Sequence, residues 1–182
     1  MRSCRSLMLL VALVGLSAVA QDKPIEGKKD PFDLSATNKQ VKDLGIPTVS
    51  EVAALESKAN DLYAAGEWKE AAAAFDQFAR KANWLANLIV AGLQPYYDAS
   101  YDARKNIGYA KLQPLIPIES KANLYKEKRN HAMVMRAECL AKLGDHPQAI
   151  SVLVGALDLI DIDDAVWWER GRKQLYALIG VE

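Results

Sequence analysis

From Glu51 almost to the C-terminus, apolar residues recur three and four positions apart, and no stretch alternates apolar and polar residues convincingly as a half-buried strand would. This pattern predicts an all-α protein. Thr48-Val49-Ser50-Glu51 has capping-box spacing and marks the expected start of the folded part. A helix is predicted from about Ser50 to Ala65, with Gly66 as its break. A second runs from about Trp68 to Lys81 and carries the tetra-alanine 71–74. Trp84 to Asn106 is helical in character, with a kink or break at Pro95. Gly108, Pro114 and Pro117 make 107–118 a loop. A long helix is expected from about Glu119 to Leu143, where Gly144 stops it. Asp145 caps the next helix, Pro147 suits its first turn, and the segment reaches about Leu159. A last helix spans 164–179.

Repeats were sought within this pattern, because a missed repeat misreads a whole fold. The pentapeptide ESKAN occurs at Glu56–Asn60 and again at Glu119–Asn123, an offset of 63. That offset sets Gly66 against Arg129 and Phe75 against Glu138, so it fails. An offset of 78 sets Ala59 against Ala137, Leu62 against Leu140, Gly66 against Gly144, Ala71 against Ala149, Phe75 against Leu153 and Phe78 against Ala156. Small positions stay small, apolar ones stay apolar, and glycine stays at the turn. A further 34 residues carries Ala137 to Gly171 and Met133 to Trp167.

With these residues the chain resembles the tetratricopeptide-repeat family over 52–85 and 130–163, with a last half-unit from Asp164. The resemblance implies a right-handed α-solenoid of about three helical hairpins. It also implies a concave groove lined by the first helix of each unit, which takes a peptide or a partner helix. Matching groove positions are Glu56, Asn60 and Tyr63 in the first unit, and His131, Val134, Glu138 and Lys142 in the second. The family's closing proline is absent, with Asn83 and Asp161 in its place. The stretch 86–129 exceeds one unit by ten residues, which implies an extended loop or an overlong helix. The subgroup that grips a C-terminal carboxylate has lysine where Glu56 stands, so that specificity does not carry over.

The N-terminus changes the compartment. Arg2 and Arg5, the apolar run Leu7–Leu16 and Ala18-Val19-Ala20 read as a secretory signal peptide over residues 1–20, cleaved after Ala20. No cysteine follows the run to take a lipid. Residues 21–47 are polar and broken by Pro24, Gly27 and Pro31, which reads as a linker, although Ser35 suits the start of a short helix ending at Gly45. The expected domain is 48–182, exported to a periplasm or secreted, with no stable membrane insertion after cleavage.

Charge and composition narrow the function. Loss of Arg2 and Arg5 takes 23 basic residues to 21 against 23 acidic ones, a balance that excludes a nucleic-acid-binding face. Cys139 is the one cysteine past the leader, so the core is expected to hold without a disulfide. No H-E-x-x-H, nucleophile elbow or phosphate-binding glycine loop appears, which points away from an enzyme and from any cofactor. Cys139, His131 and His146 make no metal set, and Asp161, Asp163 and Asp164 read as a helix-start cluster. The expected partner is a protein or peptide, with a homo-oligomer as a further possibility. Tyr96, Tyr97 and Tyr101 fit core packing first and a binding surface second, and with Trp168 they make the candidate secondary patch. It leaves two alternatives open: a self-associating component stacking through Trp167 and Trp168, and a small-ligand module built on the tyrosines and the loop 107–118.

Overall fold

A computed structural model describes residues 33–181. The expected leader and the first part of the expected linker, up to residue 32, lie outside the described residues. Within them the chain is all-helical, with no strand. Eight helices follow in order: α1 (Ser35–Leu44), α2 (Val49–Ala64), α3 (Trp68–Ala91), α4 (Tyr101–Lys105), α5 (Tyr109–Leu112), α6 (Ile116–Lys142), α7 (His146–Leu157) and α8 (Ala165–Ile179).

Helix α2 starts where the capping residues stand. Thr48 Oγ1 accepts from the Glu51 backbone N–H at 3.1 Å. The reciprocal half of the box is redirected: Lys81 on α3 takes the Glu51 carboxylate. The Lys81 hydrogen bond, with a smaller contribution from the Thr48 backbone, holds the Glu51 carboxyl below its usual range. Within the expected linker, the short helix anticipated from Ser35 to Gly45 forms as α1, and the turn after it is joined to the helices that follow. Pro47 is buried, and Trp84 Nε1 on α3 donates to the Gly45 carbonyl at 3.1 Å.

The offset of 78 recurs as geometry. Gly66 and Gly144 both sit at left-handed φ, +77° and +80°. Glu67 N–H donates to Leu62 O, and Asp145 N–H to Leu140 O, each at 3.0 Å. Ala59, Ala137, Ala71 and Ala149 are all fully buried, as is Leu153, with Phe75 nearly so. These two tight turns fold α2 onto α3 and α6 onto α7. The small residues let each pair approach closely, and Phe75 and Leu153 fill the space between them.

Three expectations are corrected. The second helix does not stop at Lys81: α3 continues through 24 residues to Ala91. Its apolar spacing, Phe75, Phe78, Ala82, Leu85 and Ile89, carries on without a glycine or proline, so nothing ends it before Gly92 and Pro95. Consequently 92–106 is not helical throughout; after turns, only α4 forms there. The loop expected at 107–118 contains α5 and the start of α6, with Pro117 tolerated in the first turn of α6. The third correction follows from these. The excess length goes into long α3 and α6 and the short α4 and α5, so the described chain has two hairpins and a single closing helix, α8, rather than three hairpins. The most extensive contact is between α3 and α6, and α6 also packs against α7 and α8. No helix among the described residues is long and apolar enough to cross a membrane.

Gly144→Ala tests the turn. A Cβ there meets nothing within 4 Å, so the substitution adds backbone strain without a clash. It is expected to lower unfolding free energy by about 1–2 kcal/mol. Gly155→Ala, in the last turn of α7 and with its Cβ 3.5 Å from Met133 Cε, is expected to raise it by about 0.5 kcal/mol. Urea titrations with an unchanged slope would read both signs.

Candidate functional site

The outward faces of α2, α6 and α8 meet over the side of α3. Glu56, Asn60 and Tyr63 lie one turn apart along α2. On α6 the facing residues are Lys128, His131, Met135 and Glu138, and on α8 they are Asp164, Trp167 and Arg170. Between them is a cleft of about 130 Å³, floored by Phe75, Phe78, Ala132 and Met135.

Polar ties across the cleft set its shape. Lys128 Nζ donates to Glu56 Oε2 at 2.6 Å, joining α6 to α2. Tyr63 Oη donates to Glu138 Oε2 at 2.8 Å. Arg170 grips the same carboxylate through Nε and Nη2, at 2.6 and 2.7 Å, so Glu138 binds α2 and α8 at once. Burial first, then the Glu138 hydrogen bond, pushes the Tyr63 phenol above its ordinary pKa. The same carboxylate pushes the Arg170 guanidinium up. His131 Nε2 lies 2.6 Å from Asp164 Oδ2, and its ring stacks on Trp167 with centroids 4.3 Å apart and planes 12° apart. Arg170 covers the same indole at 4.8 Å. Among the described residues, Asn60 is the one cleft-lining polar side chain that is exposed and has no hydrogen-bonding partner.

Of the groove residues read from the sequence, Glu56, Asn60 and His131 line the cleft, while Tyr63 and Glu138 are hydrogen-bonded to each other outside its lining. Val134 is corrected: it is fully buried against Ala156 and Ile160, with a γ-methyl 3.5 Å from where a Gly171 Cβ would stand, so it belongs to the core. Lys142 is exposed at the last turn of α6, away from the cleft. The tyrosine patch divides. Tyr96 Oη donates to Glu119 at 2.9 Å, and Tyr97 Oη accepts from Lys126 at 2.6 Å. Arg104 lies over both rings and donates to the Tyr97 carbonyl. Only Tyr101 is largely exposed, at 79%. Trp168 is half-buried beneath Arg172.

Lys128, Trp167 and Arg170 were missed as site residues, and so was the approach of Asp164 to His131. Trp167, expected with Trp168 as a self-association surface in one alternative, lines the cleft. The 34-residue offset that maps Met133 to Trp167 was a signal that α8 repeats the position of α6. Comparison with protein-family models, with curated proteins and with solved structures finds no match to this chain.

Next to Glu138, Cys139 is fully buried. Burial first, then the neighbouring carboxylate, raises its thiol pKa to about 11. The thiol is therefore protonated near neutrality and shielded. The folded protein is expected to resist iodoacetamide at pH 8 and to react fully once unfolded, with mass spectrometry reading the adduct.

Proposed function

We propose that this chain is an exported scaffold of the tetratricopeptide-like kind, which holds a segment of a partner protein in the cleft between α2, α6 and α8. The observation that carries this reading is the convergence of three helix faces, one from each repeat position, on a single cleft with an apolar floor. Equivalent turns at Gly66 and Gly144 and the recurring buried alanines support the repeat relationship.

The cleft's dimensions define the occupant. About 130 Å³ accommodates one apolar side chain rather than the flank of a helix, so the bound segment is extended, with a single apolar anchor above Phe75 and Phe78. Asn60 offers both a donor and an acceptor to that segment's backbone. The ties through Glu138 and Lys128 hold the walls before binding, so the ordering cost falls on the peptide. Pairing of the cleft's charges within the protein leaves little net charge to select a strongly acidic or basic segment.

Self-association is the second reading. Ile162 and Val166, 69% and 76% exposed, lie beside exposed Leu159 at the α7–α8 turn.

Replacement of Asn60 by a photoreactive residue, in cells that export the protein, tests the first reading. A discrete heterologous adduct is expected from Asn60 and not from a probe at exposed Gln148 on α7. Adducts only to further copies of the chain would favour self-association. Equal labelling from both positions, or none from folded protein, would sink the cleft reading.

A further inference from the structure

We propose that Glu127, His131 and Asp164 form a binding site for a divalent transition-metal cation, with zinc the best fit. Glu127 and His131 stand four residues apart on α6, which puts them on one face a turn apart. Asp164 comes from the start of α8. One ligand atom from each of the three lies within 4.8 Å of the others. Zinc bonds of about 2.0–2.1 Å set tetrahedral ligands about 3.3 Å apart. His131 and Asp164 already meet at 2.6 Å, and exposed Glu127 closes the remainder by side-chain rotation.

The charge balance is an independent argument. Glu127 makes no hydrogen bond or ion pair among the described residues. The lysines on either side of it are committed elsewhere, Lys126 to Tyr97 and Lys128 to Glu56. Asp161 and Asp163 line the same open pocket as Glu127 and Asp164. Lys126 is the one cation lining that pocket, so a single positive charge stands among four carboxylates. Repulsion among them is relieved by a bound cation.

The donor set selects the cation. An imidazole with two carboxylates suits zinc and its transition-metal neighbours, whereas calcium and magnesium take oxygen donors. Stacking on Trp167 fixes the imidazole plane, so the ligand is oriented before the metal arrives. Three protein ligands leave a position for water or for a donor from a partner. The site stands apart from the peptide-binding reading: it needs no partner, and its test uses none.

The test is calorimetric titration of the chelator-treated, purified full chain with Zn²⁺, alongside Co²⁺ titration followed by visible absorption. One equivalent of zinc is expected, with the cobalt spectrum of a tetrahedral site. His131→Gln and Asp164→Asn are each expected to weaken zinc at least tenfold. Glu127→Gln is the decisive variant, because its exposed side chain contributes no packing whose loss could unfold the protein. It too is expected to weaken zinc about tenfold and to leave the melting temperature of the metal-free protein unchanged. Absence of zinc binding would overturn the proposal. So would binding that survives Glu127→Gln and Asp164→Asn, or that is lost on His146→Gln instead.

Discussion

Everything else in this molecule depends on how closely α3 and α6 approach. Both helices bring buried alanines to one core cluster, Ala82 and Ala86 on α3 and Ala132 on α6. Side chains of one carbon let backbones come near, and the dispersion gained across such an interface is summed over many small contacts. Phe75 and Phe78 then occupy the space that the alanines leave beside them. A larger residue at any of these alanines would push the two longest helices apart. It would also displace α7 and α8, which pack on α6. Once α6 is committed to α3 on one side and α7 on another, the strip from Lys128 to Glu138 faces α2 and α8. The cleft is a consequence of this packing.

Charged groups refine that arrangement. Drawing Glu138 partly out of water is costly, and it is repaid only because Tyr63 and Arg170 fill its acceptor positions. The gain is positional: one carboxylate fixes the angle of α8 relative to α2. Asn130 acts in the same way. It is the buried polar side chain of the described core, and its amide donates to the Leu159 carbonyl at 2.7 Å while its oxygen accepts from Arg129. Those bonds pin the end of α7 to α6. From there the short link to α8 brings Asp164 beside His131. The acidic turn is thus placed by an amide one residue before the histidine it meets.

The sequence revealed what short-range physics dictates. Thr48, Gly66, Gly144 and Asp145 mark helix ends through their own backbone or side chain, and each end falls where these residues stand. The 78-residue offset was readable for the same reason, since alanine, glycine and large apolar residues keep their roles from one hairpin to the next. The course of α3 past Lys81 was harder. A helix persists when its buried face persists, and Ala82, Leu85 and Ala86 continue that face past the charged Arg80 and Lys81. Val134 failed for a different reason. Family spacing put it on the groove, but the approach of α8 at Gly171 covers it, and that closeness is not encoded near Val134 itself. The Glu127–His131 spacing was visible on α6. Its third member lies 33 residues beyond His131 and comes near only through the α7 hairpin.

His131 joins the two proposed activities physically. One edge of its ring faces Asp164, while its flat side rests on Trp167, which walls the cleft. A cation held by Glu127, His131 and Asp164 would steady the ring, and the ring would steady the indole against which a bound side chain rests. Linkage of this kind is reciprocal: whatever the metal does for peptide affinity, the peptide does for metal affinity by the same factor. Its sign follows from geometry. A metal would engage the ring edge and a peptide would meet the cleft side of the indole, so neither would displace the other, and each would restrict a motion that the other also needs restricted. Under these two proposals the coupling would be favourable and would pass through the stacked His131 and Trp167 rings.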